Sequence, residues 1–489
     1  MRPIRRRRQQ KGIALLTVTV AIALIGATVG EFAYNARIDL EAAANSRDML
    51  RAEYLARSAI QLGQLLIAVQ GGLGRTLGSN PATAGLADSI VLTDYAGFLV
   101  QAFGGDKEAR EGLGGLLGLD LGSVEGLGSG RGTSMDLEIQ SEEGKVFVNC
   151  GGGLNTETPE ARTRRRGLFL LINSLIRPPR YSRMFNIPDR DGVLITYEEL
   201  PRAIIDWTDV DVQRYDPDGN ATASEDRYDR GRDRYEAHNH FMDTVEELML
   251  VRGVSEDFWA AFGEMFTVYG TADCRLLASA IGPESWPLVA GILAAASPDP
   301  AVVFDPNTAL VAQQVAALLK TGLPVLRTLT SKLKVEPCPV SPAQCPPLGA
   351  AAPPGAPPQP RQPPAGGADS LELLSNLICS PLVAQLPQLA QGLSSLFGPS
   401  MPRPPTTPLR PIRLCPGRLA HYLAERPARG GSARRFFRLD ARGSVRRNDK
   451  KSTHIHIRAV WDAEGPNNNP LCTNHPRCQR GTWMYWRMD

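Results

Sequence analysis

The chain lacks any large excess of one charge, and histidine and aromatic side chains are scarce. Charged residues make up 21%, aromatics 6%, and the 6 histidines leave a formal net charge of +3. Even that surplus is local. Arg2, Arg5, Arg6, Arg7, Arg8 and Lys11 put +6 into the first twelve residues, so +3 less +6 leaves −3 for the rest. A nucleic-acid-binding reading based on overall basicity therefore falls away. Only one long uncharged run occurs, Ile13 to Gly30, which excludes a polytopic membrane protein. A hydrophobic fraction of 43% excludes a wholly disordered chain, and the 47 glycines and 39 prolines follow no collagen period. There is no Gly-x-Ser-x-Gly elbow. The loop Gly126-Leu127-Gly128-Ser129-Gly130-Arg131-Gly132 is not followed by Gly-Lys-Ser/Thr, so it reads as a surface loop and not a phosphate cradle. No enzyme is expected. Length suggests about three domains.

The apolar run of 13–30 spans about 27 Å as a helix, close to the hydrocarbon thickness of a bilayer. A secretory signal peptide or a plain signal anchor would also begin this way. Here the run continues into Glu31-Phe32-Ala33-Tyr34 without a break, and no proline follows before Pro81. Leu55, Ala59, Leu62, Leu66 and Val69 then step by four and three along one helical face. This predicts one long helix, half in lipid and half packed on the rest of the molecule. The arginines ahead of the span place the N-terminus in the cytoplasm and the bulk of the chain across the membrane.

Beyond the helix, 71–133 is glycine-rich. Met135–Gln140 alternates as a half-buried strand, Glu142-Glu143-Gly144 is expected to turn, and Lys145–Asn149 to return as a hairpin. Helical patterns follow at Gly167–Ile176, Val245–Val251, Asp257–Phe266, Cys274–Ile281 and Thr308–Lys320, separated by Pro188, Pro201, Pro217, Pro283, Pro287, Pro298 and Pro300. Residues 337–364 are Pro-rich and extended. Leu371–Leu396 has a helical pattern, and strands return at Phe436–Leu439, Ser444–Arg446 and His454–Trp461. From Pro402 to Asp489, 18 Lys/Arg face 6 Asp/Glu; this basic end reads as a solvated face or as a dock for an acidic subunit or lipid headgroups.

Ten acids and five arginines fall between Asp206 and Glu236. Closely spaced carboxylates repel unless a cation sits among them, and Ca²⁺ takes six to eight oxygens. A cation site and a solvated acidic loop both remain open on the residues alone. The loop is not an EF-hand, because the twelfth-position glutamate is missing. His238-x-His240 and His454-x-His456 lack a third metal ligand. Leu248–Val254 has the look of a helix-hairpin-helix turn, but Ser255 replaces its second glycine and the neighbouring acids would repel phosphate. Eight cysteines beyond the membrane are expected to pair. The simplest local bridges are Cys338–Cys345 and Cys472–Cys478, with zinc a rival at the latter through His475.

Lys11-Gly12 before Ile13-Ala14-Leu15-Leu16 resembles a prepilin-type leader. Thr17 stands at the fifth position after the glycine, where most pilins and pseudopilins carry glutamate. With Glu31-Phe32-Ala33-Tyr34, Arg37-Ile38-Asp39-Leu40 and Tyr54-Leu55-Ala56-Arg57-Ser58, the chain resembles the minor pseudopilin K family of type II secretion systems. The resemblance implies cleavage by the prepilin peptidase between Gly12 and Ile13, methylation of the new N-terminus, and residence in the bacterial inner membrane with the bulk in the periplasm. It implies an α+β fold in which a pilin-like long N-terminal helix packs on an antiparallel sheet interrupted by a large inserted α-helical domain. The expected division is leader 1–12, long helix 13–70, first part of the pilin-like domain 71–149, and helical insertion 150–336. A Pro-rich linker 337–369, an extension 370–432 and C-terminal strands with a tail 433–489 complete it. The resemblance also implies Ca²⁺ in the acidic loop, with Asp209, Asp211, Asp216, Asp218, Glu225 and Asp226 as ligands. The implied role is a non-enzymatic pseudopilus tip, partnered by the I-like and J-like minor pseudopilins and by no nucleic acid. The alternative is a single-pass periplasmic calcium-binding receptor or enzyme with an uncleaved anchor.

Overall fold

A computed structural model describes residues 11–78, 91–104, 132–152, 158–188, 192, 194–219, 224–225, 228, 235–271, 273–321, 335–346, 348, 370–388, 407–425, 435–448, 451–464 and 481–489. Residues 1–10 of the expected leader, Asp226, Cys472, Cys478 and most of the Pro-rich block lie outside the described residues.

Helix α1, Lys11–Gly78, runs for 68 residues, about 100 Å at helical rise. It is long and apolar enough near its start to cross a membrane, and that window is fully exposed. Its second half is covered. The buried residues are Asp48, Ala52, Ala56, Ala59, Ile60, Gly63 and Ile67, with Leu55, Leu62 and Leu66 at the margins and Val69 exposed. The buried stripe is thus rotated from the expected leucine face towards small side chains, because a sheet strand comes within backbone contact there.

That sheet has four antiparallel strands in the order β1-β6-β7-β8: β1 Thr133–Ser141, β6 Phe436–Asn448, β7 Lys451–Asp462 and β8 Thr482–Met488. Alternation places Leu137, Ile139, Leu439, Ala441, Ile457 and Ala459 on the helix side. The rows Leu137–Ala441–Ile457 and Ile139–Leu439–Ala459 run across three strands, each with one alanine among larger side chains. A Cβ on Gly443 would fall 1.9 Å from the Ala52 carbonyl oxygen, so only glycine lets β6 cross α1 at this point. A long helix on an antiparallel sheet, split by a helical insertion between β1 and β6, is a pilin-like α+β architecture.

The expected hairpin from β1 does not form. Glu142–Gly144 is a 3-10 turn, and the next strand, β2 Val146–Phe147, pairs parallel with β3 Phe266–Thr267. The partner of β1 is β6, nearly three hundred residues later. Phe436–Leu439 and Ser444–Arg446 join as that single strand, since Ala441 and Gly443 keep its alternation unbroken. Strand β8 had no place in the expected sheet, although Trp483, Tyr485 and Arg487 alternate with Met484, Trp486 and Met488.

Helix α2, Ala96–Gly104, precedes β1 and belongs to the helix–sheet core, whereas the insertion after β1 has a core of its own. Among the described residues its longer helices are α3 Pro159–Ile176, α4 Glu199–Thr208, α5 Glu256–Phe262, α6 Trp286–Ala296, α7 Pro306–Thr321 and α8 Ser370–Cys379; α2 itself lies against α1 and β1. Helix α3 begins at Thr158, whose hydroxyl accepts from the Ala161 amide at 3.2 Å, with Pro159 next. Pro283 and Pro287, expected to separate short elements, instead open a 3-10 turn and the helix α6 that follows it. Pro287 stands in its first turn, where the missing N–H has no intrahelical acceptor to lose. Cys274–Ile281 is not a helix. Leu276–Leu277 forms β4, parallel to β5 Leu423–Ala424, because Cys274 is tied down by a disulfide. Leu371, Leu374, Leu377, Ile378, Leu414 and Leu423 share one apolar core with α3, α6 and α7.

Three disulfides staple this part: Cys150–Cys274, Cys338–Cys379 and Cys345–Cys415. The expected local bridge Cys338–Cys345 is therefore incorrect. Cys338 is drawn to the end of α8, where its amide donates to Asn376 Oδ1 at 3.1 Å. Cys345 follows the chain away to Cys415, whose amide bonds the Ala296 carbonyl at the end of α6. Bridges between distant segments close larger loops than the seven-residue bridge would, and constrain the unfolded chain more.

The sheet and the insertion meet at a buried charge cluster. Glu142 is fully buried, with Lys145 Nζ at 2.9 Å and Arg438 Nε at 2.8 Å, and it accepts from Thr267 Oγ1. Burial alone would raise its carboxyl, but the Lys145 and Arg438 charges override this and hold it below its ordinary value. Arg438 also reaches Glu264 at 2.8 Å, so one β6 side chain grips both ends of the junction.

Replacing Gly443 by valine is expected to destabilise the fold by about 1–3 kcal/mol or more through overpacking. Thermal melting of the purified chain reads this directly. An unchanged midpoint would contradict the close approach of β6 to α1.

Candidate metal centre

The acidic site is built at the end of α4. Leu200, Ala203, Ile204 and Ile205 bury one face of that helix, and Trp207 follows them into the core. The helix stops after Thr208, whose hydroxyl bonds back to the Ile205 carbonyl at 3.0 Å. Asp209 turns out in an extended conformation while its amide still reaches the Ile205 carbonyl at 3.0 Å. Its carboxylate is thus placed at the negative end of the helix dipole, where a carboxylate is disfavoured and a cation is favoured.

The following loop returns to the same place. Asp211 Oδ1 accepts from the Gln213 amide at 2.9 Å, and Gln213 and Ser224 form an antiparallel bridge. The Glu225 amide then bonds the Val212 carbonyl at 3.2 Å, which brings Glu225 beside Asp211. Asp209, Asp211 and Glu225 each offer an oxygen within 4.8 Å of the others. Asn239, at φ 46°, closes the side and donates to the Asp211 carbonyl at 3.3 Å. Its segment is pinned by Asn149, which exchanges two hydrogen bonds with the Met242 backbone at 2.8 and 2.9 Å.

The charges are poorly balanced. Arg165 of α3, itself buried, lies 3.3 Å from Asp209 Oδ2 and 4.0 Å from Asp211. Asp209 is 1% exposed, and its Oδ1 has no hydrogen-bond partner among the described residues. Glu225 Oε1 and Asn239 Oδ1 are in the same condition. Burial, then repulsion from Asp211, Asp206 and Glu225, pushes the Asp209 carboxyl up to about 9. Burial, then Asp206 and Asp211, raises Glu225 to about 8. Buried oxygens without donors, at a helix C-terminus, fit a hard divalent cation that takes oxygen ligands.

Of the six expected ligands, the structure brings together Asp209, Asp211 and Glu225. Asp216 and Asp218 are set apart on a turn: Asp216 Oδ1 accepts from the Asp218 amide at 2.9 Å, and Asp218 faces Arg166 at 3.5 Å. Asp206 is drawn aside by the Tyr215 amide at 2.7 Å. Asn239, which belongs to the stretch resembling the family's calcium loop, is not among the six expected ligands, yet the structure sets it beside Asp211. The other candidates have structural partners. His238 pairs with Glu247 at 3.2 Å, His456 with Asp440 at 2.9 Å, and His454 with Ser452 at 2.9 Å. Gly253, at φ 89°, is closed over by Ile195, so the turn resembling a helix-hairpin-helix packs inward.

No protein-family model matches the chain, and no curated protein matches it. Among solved structures it is similar to a chain of the GspK-GspI-GspJ complex from the type 2 secretion system of enterotoxigenic Escherichia coli. The identity is 9% and the TM-score 0.34, covering 73% of this chain and 80% of that one.

A pH dependence follows from the raised carboxyls. Their folded values lie above the ordinary 3.8 and 4.5, so the folded state holds more protons than the unfolded chain between those limits. Stability in the presence of chelator is expected to fall as pH rises from about 4 to about 9. A divalent cation at a hundred times its dissociation constant restores about 2.7 kcal/mol at pH 8. Asp209→Asn flattens the pH profile, and Asp209→Ala with Asp211→Ala abolishes the cation effect. Melting curves that ignore both pH and chelator would remove the site.

Proposed function

We propose that the chain is a minor pseudopilin of the K type that stands at the tip of a type II secretion pseudopilus. The observation that carries this reading is the composite character of α1. It is apolar and uncovered in its first half and packed on a four-stranded sheet in its second, and Lys11-Gly12 stands directly before the apolar run in the sequence. A subunit so built can be held in the inner membrane and then extracted into a helical bundle without refolding. Processing by the prepilin peptidase between Gly12 and Ile13 keeps the apolar helix and removes the arginines. The product has its new ammonium at Ile13, methylated in this reading, and its bulk in the periplasm.

Thr17 supports the tip position. Its hydroxyl bonds the Ile13 and Ala14 carbonyls at 3.1 and 3.0 Å, satisfied within its own helix. It offers no carboxylate to neutralise the ammonium of a subunit already in place, and a first subunit has no predecessor to neutralise. Bulk agrees, since the insertion between β1 and β6 projects freely only from a filament end. Met49, Leu50, Tyr54, Leu65 and Val69 remain exposed on α1, an apolar surface suited to the helices of the I-like and J-like partners. The acidic site then holds Ca²⁺ through Asp209, Asp211 and Glu225. The cation would fix the insertion that crowns the tip. No catalytic step belongs to this role.

An intact-mass measurement after expression with the peptidase is expected to find a chain starting at Ile13 and carrying one methyl group. Replacing Gly12 by a bulky residue blocks the cut. Recovery of the Met1 end from such cells would favour the calcium-binding protein with an uncleaved anchor.

Co-expression with the I-like and J-like subunits is expected to yield a ternary complex with α1 at its centre. A homopolymer of this chain, or a complex with partners stacked above the insertion, would sink the tip assignment.

A further inference from the structure

Arg165 of α3, the end of α4 and the 239–242 segment meet at the acidic site, and all three rest on one short turn. Val148–Gly151 is a 3-10 turn after β2, and it packs on both α3 and α4. A Cβ on Gly151 would stand 3.5 Å from Arg165 Cγ and 3.6 Å from Ile205 Cγ1, so the turn touches the arginine's stem and the last turn of α4 together. Gly152 comes closer still. A Cβ there would fall 2.3 Å from the Thr208 carbonyl oxygen and 3.0 Å from the Phe241 ring, which leaves no room for a side chain.

Asn149 completes the grip. Its buried side chain donates to the Met242 carbonyl at 2.9 Å and accepts from the Met242 amide at 2.8 Å. A carboxamide that bonds both backbone groups of one residue holds that residue as a strand ladder would. Three residues before Met242, Asn239 donates to the Asp211 carbonyl at 3.3 Å. Residues 149–152 therefore locate both the helix end that carries Asp209 and the segment that closes over Asp211.

The turn is itself tethered. Cys150 is bridged to Cys274, whose φ of 60° is left-handed and whose amide bonds the Thr271 carbonyl at 2.9 Å. Strands β3 and β4 stand on either side of Cys274 in the chain, and each is paired with a strand from elsewhere. The disulfide carries that anchorage to the middle of the turn. Carboxylates that repel one another separate in a loose chain, and an ion must then repay their ordering; ligands already in place bind it more tightly.

We infer that the turn 148–152, fixed by the Cys150–Cys274 disulfide, is the template that sets the spacing of the cation ligands, with Asn149 as its positioning residue. The inference rests on the cation reading of Asp209, Asp211 and Glu225 and deepens it: tight binding becomes a property of the bridged chain. A disulfide that only restricted the unfolded chain would act otherwise. Cys150–Cys274 and Cys345–Cys415 have sequence separations of 124 and 70, so by loop entropy alone they stabilise to a similar degree. The first is built into the turn, whereas Cys415 is bonded to the end of α6.

The test measures Ca²⁺ binding to the full chain in detergent by calorimetry, beside thermal melting. Cys150→Ser with Cys274→Ser, and Asn149→Ala alone, are each expected to weaken Ca²⁺ about 10–100-fold. Combining them is expected to cost little more, since both act through one turn. Cys345→Ser with Cys415→Ser is expected to lower the melting midpoint and to leave the affinity within about twofold. With Tb³⁺ in place of Ca²⁺, luminescence lifetimes compared in H2O and D2O are expected to show more water on the ion in the Asn149 and Cys150/Cys274 variants. Unchanged affinity and hydration in Asn149→Ala, or equal loss of affinity from both cysteine pairs, would overturn the inference while leaving the cation site standing. A parent chain that binds no Ca²⁺ refutes the site and the inference with it. Asn149→Ala removes two hydrogen bonds and no bridge, so it decides the matter should the cysteine variants fail to fold.

Discussion

Everything in the sheet depends on how closely β6 lies on α1. Gly443 sits over the Ala52 carbonyl, and Ala52, Ala56 and Ala59 are completely buried beneath the strand. Small residues on both surfaces bring backbone to backbone, and the larger side chains of Leu137, Leu439 and Ile457 then fill the flanks. One strand fixes the others: β1 and β7 both register on β6, and β8 registers on β7. A larger residue at the crossing would lift β6, and with it every ladder in the sheet.

The same strand has to bring together chain segments far apart in sequence. Ser141 and Phe437 are register partners although the whole insertion lies between them. Loop-closure entropy grows only slowly with length, about 0.6 kcal/mol per doubling, so a long insertion is tolerated if its ends meet where the strands need them. The Glu142, Lys145, Arg438 and Glu264 cluster supplies that meeting point. Removing one member of such a buried pair strands the other, at about 3–5 kcal/mol, far more than the pair contributes as a net gain. Its value lies in orientation: the insertion is held to the sheet in one arrangement.

Much of this was legible in the residues, and the failures have physical causes. The long helix and three of the four strands could be read because period and length are local properties. Helices α3 and α7 were visible for the same reason, their apolar stripes standing between clear breaks. The β1 partner was misread because a turn signal at Glu142-Glu143-Gly144 is local, whereas pairing with β6 is set by a core that forms across the whole chain. Helix α6 was hidden by Pro287, whose meaning reverses between helix interior and first turn. The disulfides followed the same rule. Spacing favours the nearest cysteine, but the folded backbone decides, and it carries Cys338 to α8 and Cys345 to Cys415. At the metal centre, the acidic composition drew attention to the right loop. Which acids converge depended on a bridge between Gln213 and Ser224 that no spacing announces.

The convergence at Asp209 has a further consequence for the insertion. Four segments meet there: α3 through Arg165, the end of α4, the returning strand at Glu225, and the Asn239 turn. The three carboxylate pairs among Asp209, Asp211 and Glu225 are mutually repulsive, and among the described residues the relief comes from protonation and from Arg165. Arg165 relieves one oxygen of Asp209 and leaves the other bare. A divalent cation reverses the sign of all the carboxylate contacts at once, so binding free energy becomes folding free energy for the whole corner. Trp207, Tyr228 and Tyr235 pack on one another alongside this corner, with ring centroids 5.1 to 6.1 Å apart. The last turn of α4 therefore has a rigid aromatic side and an electrostatically conditional side. A cation bound at this corner would therefore tie the order of the surrounding segments to the ion.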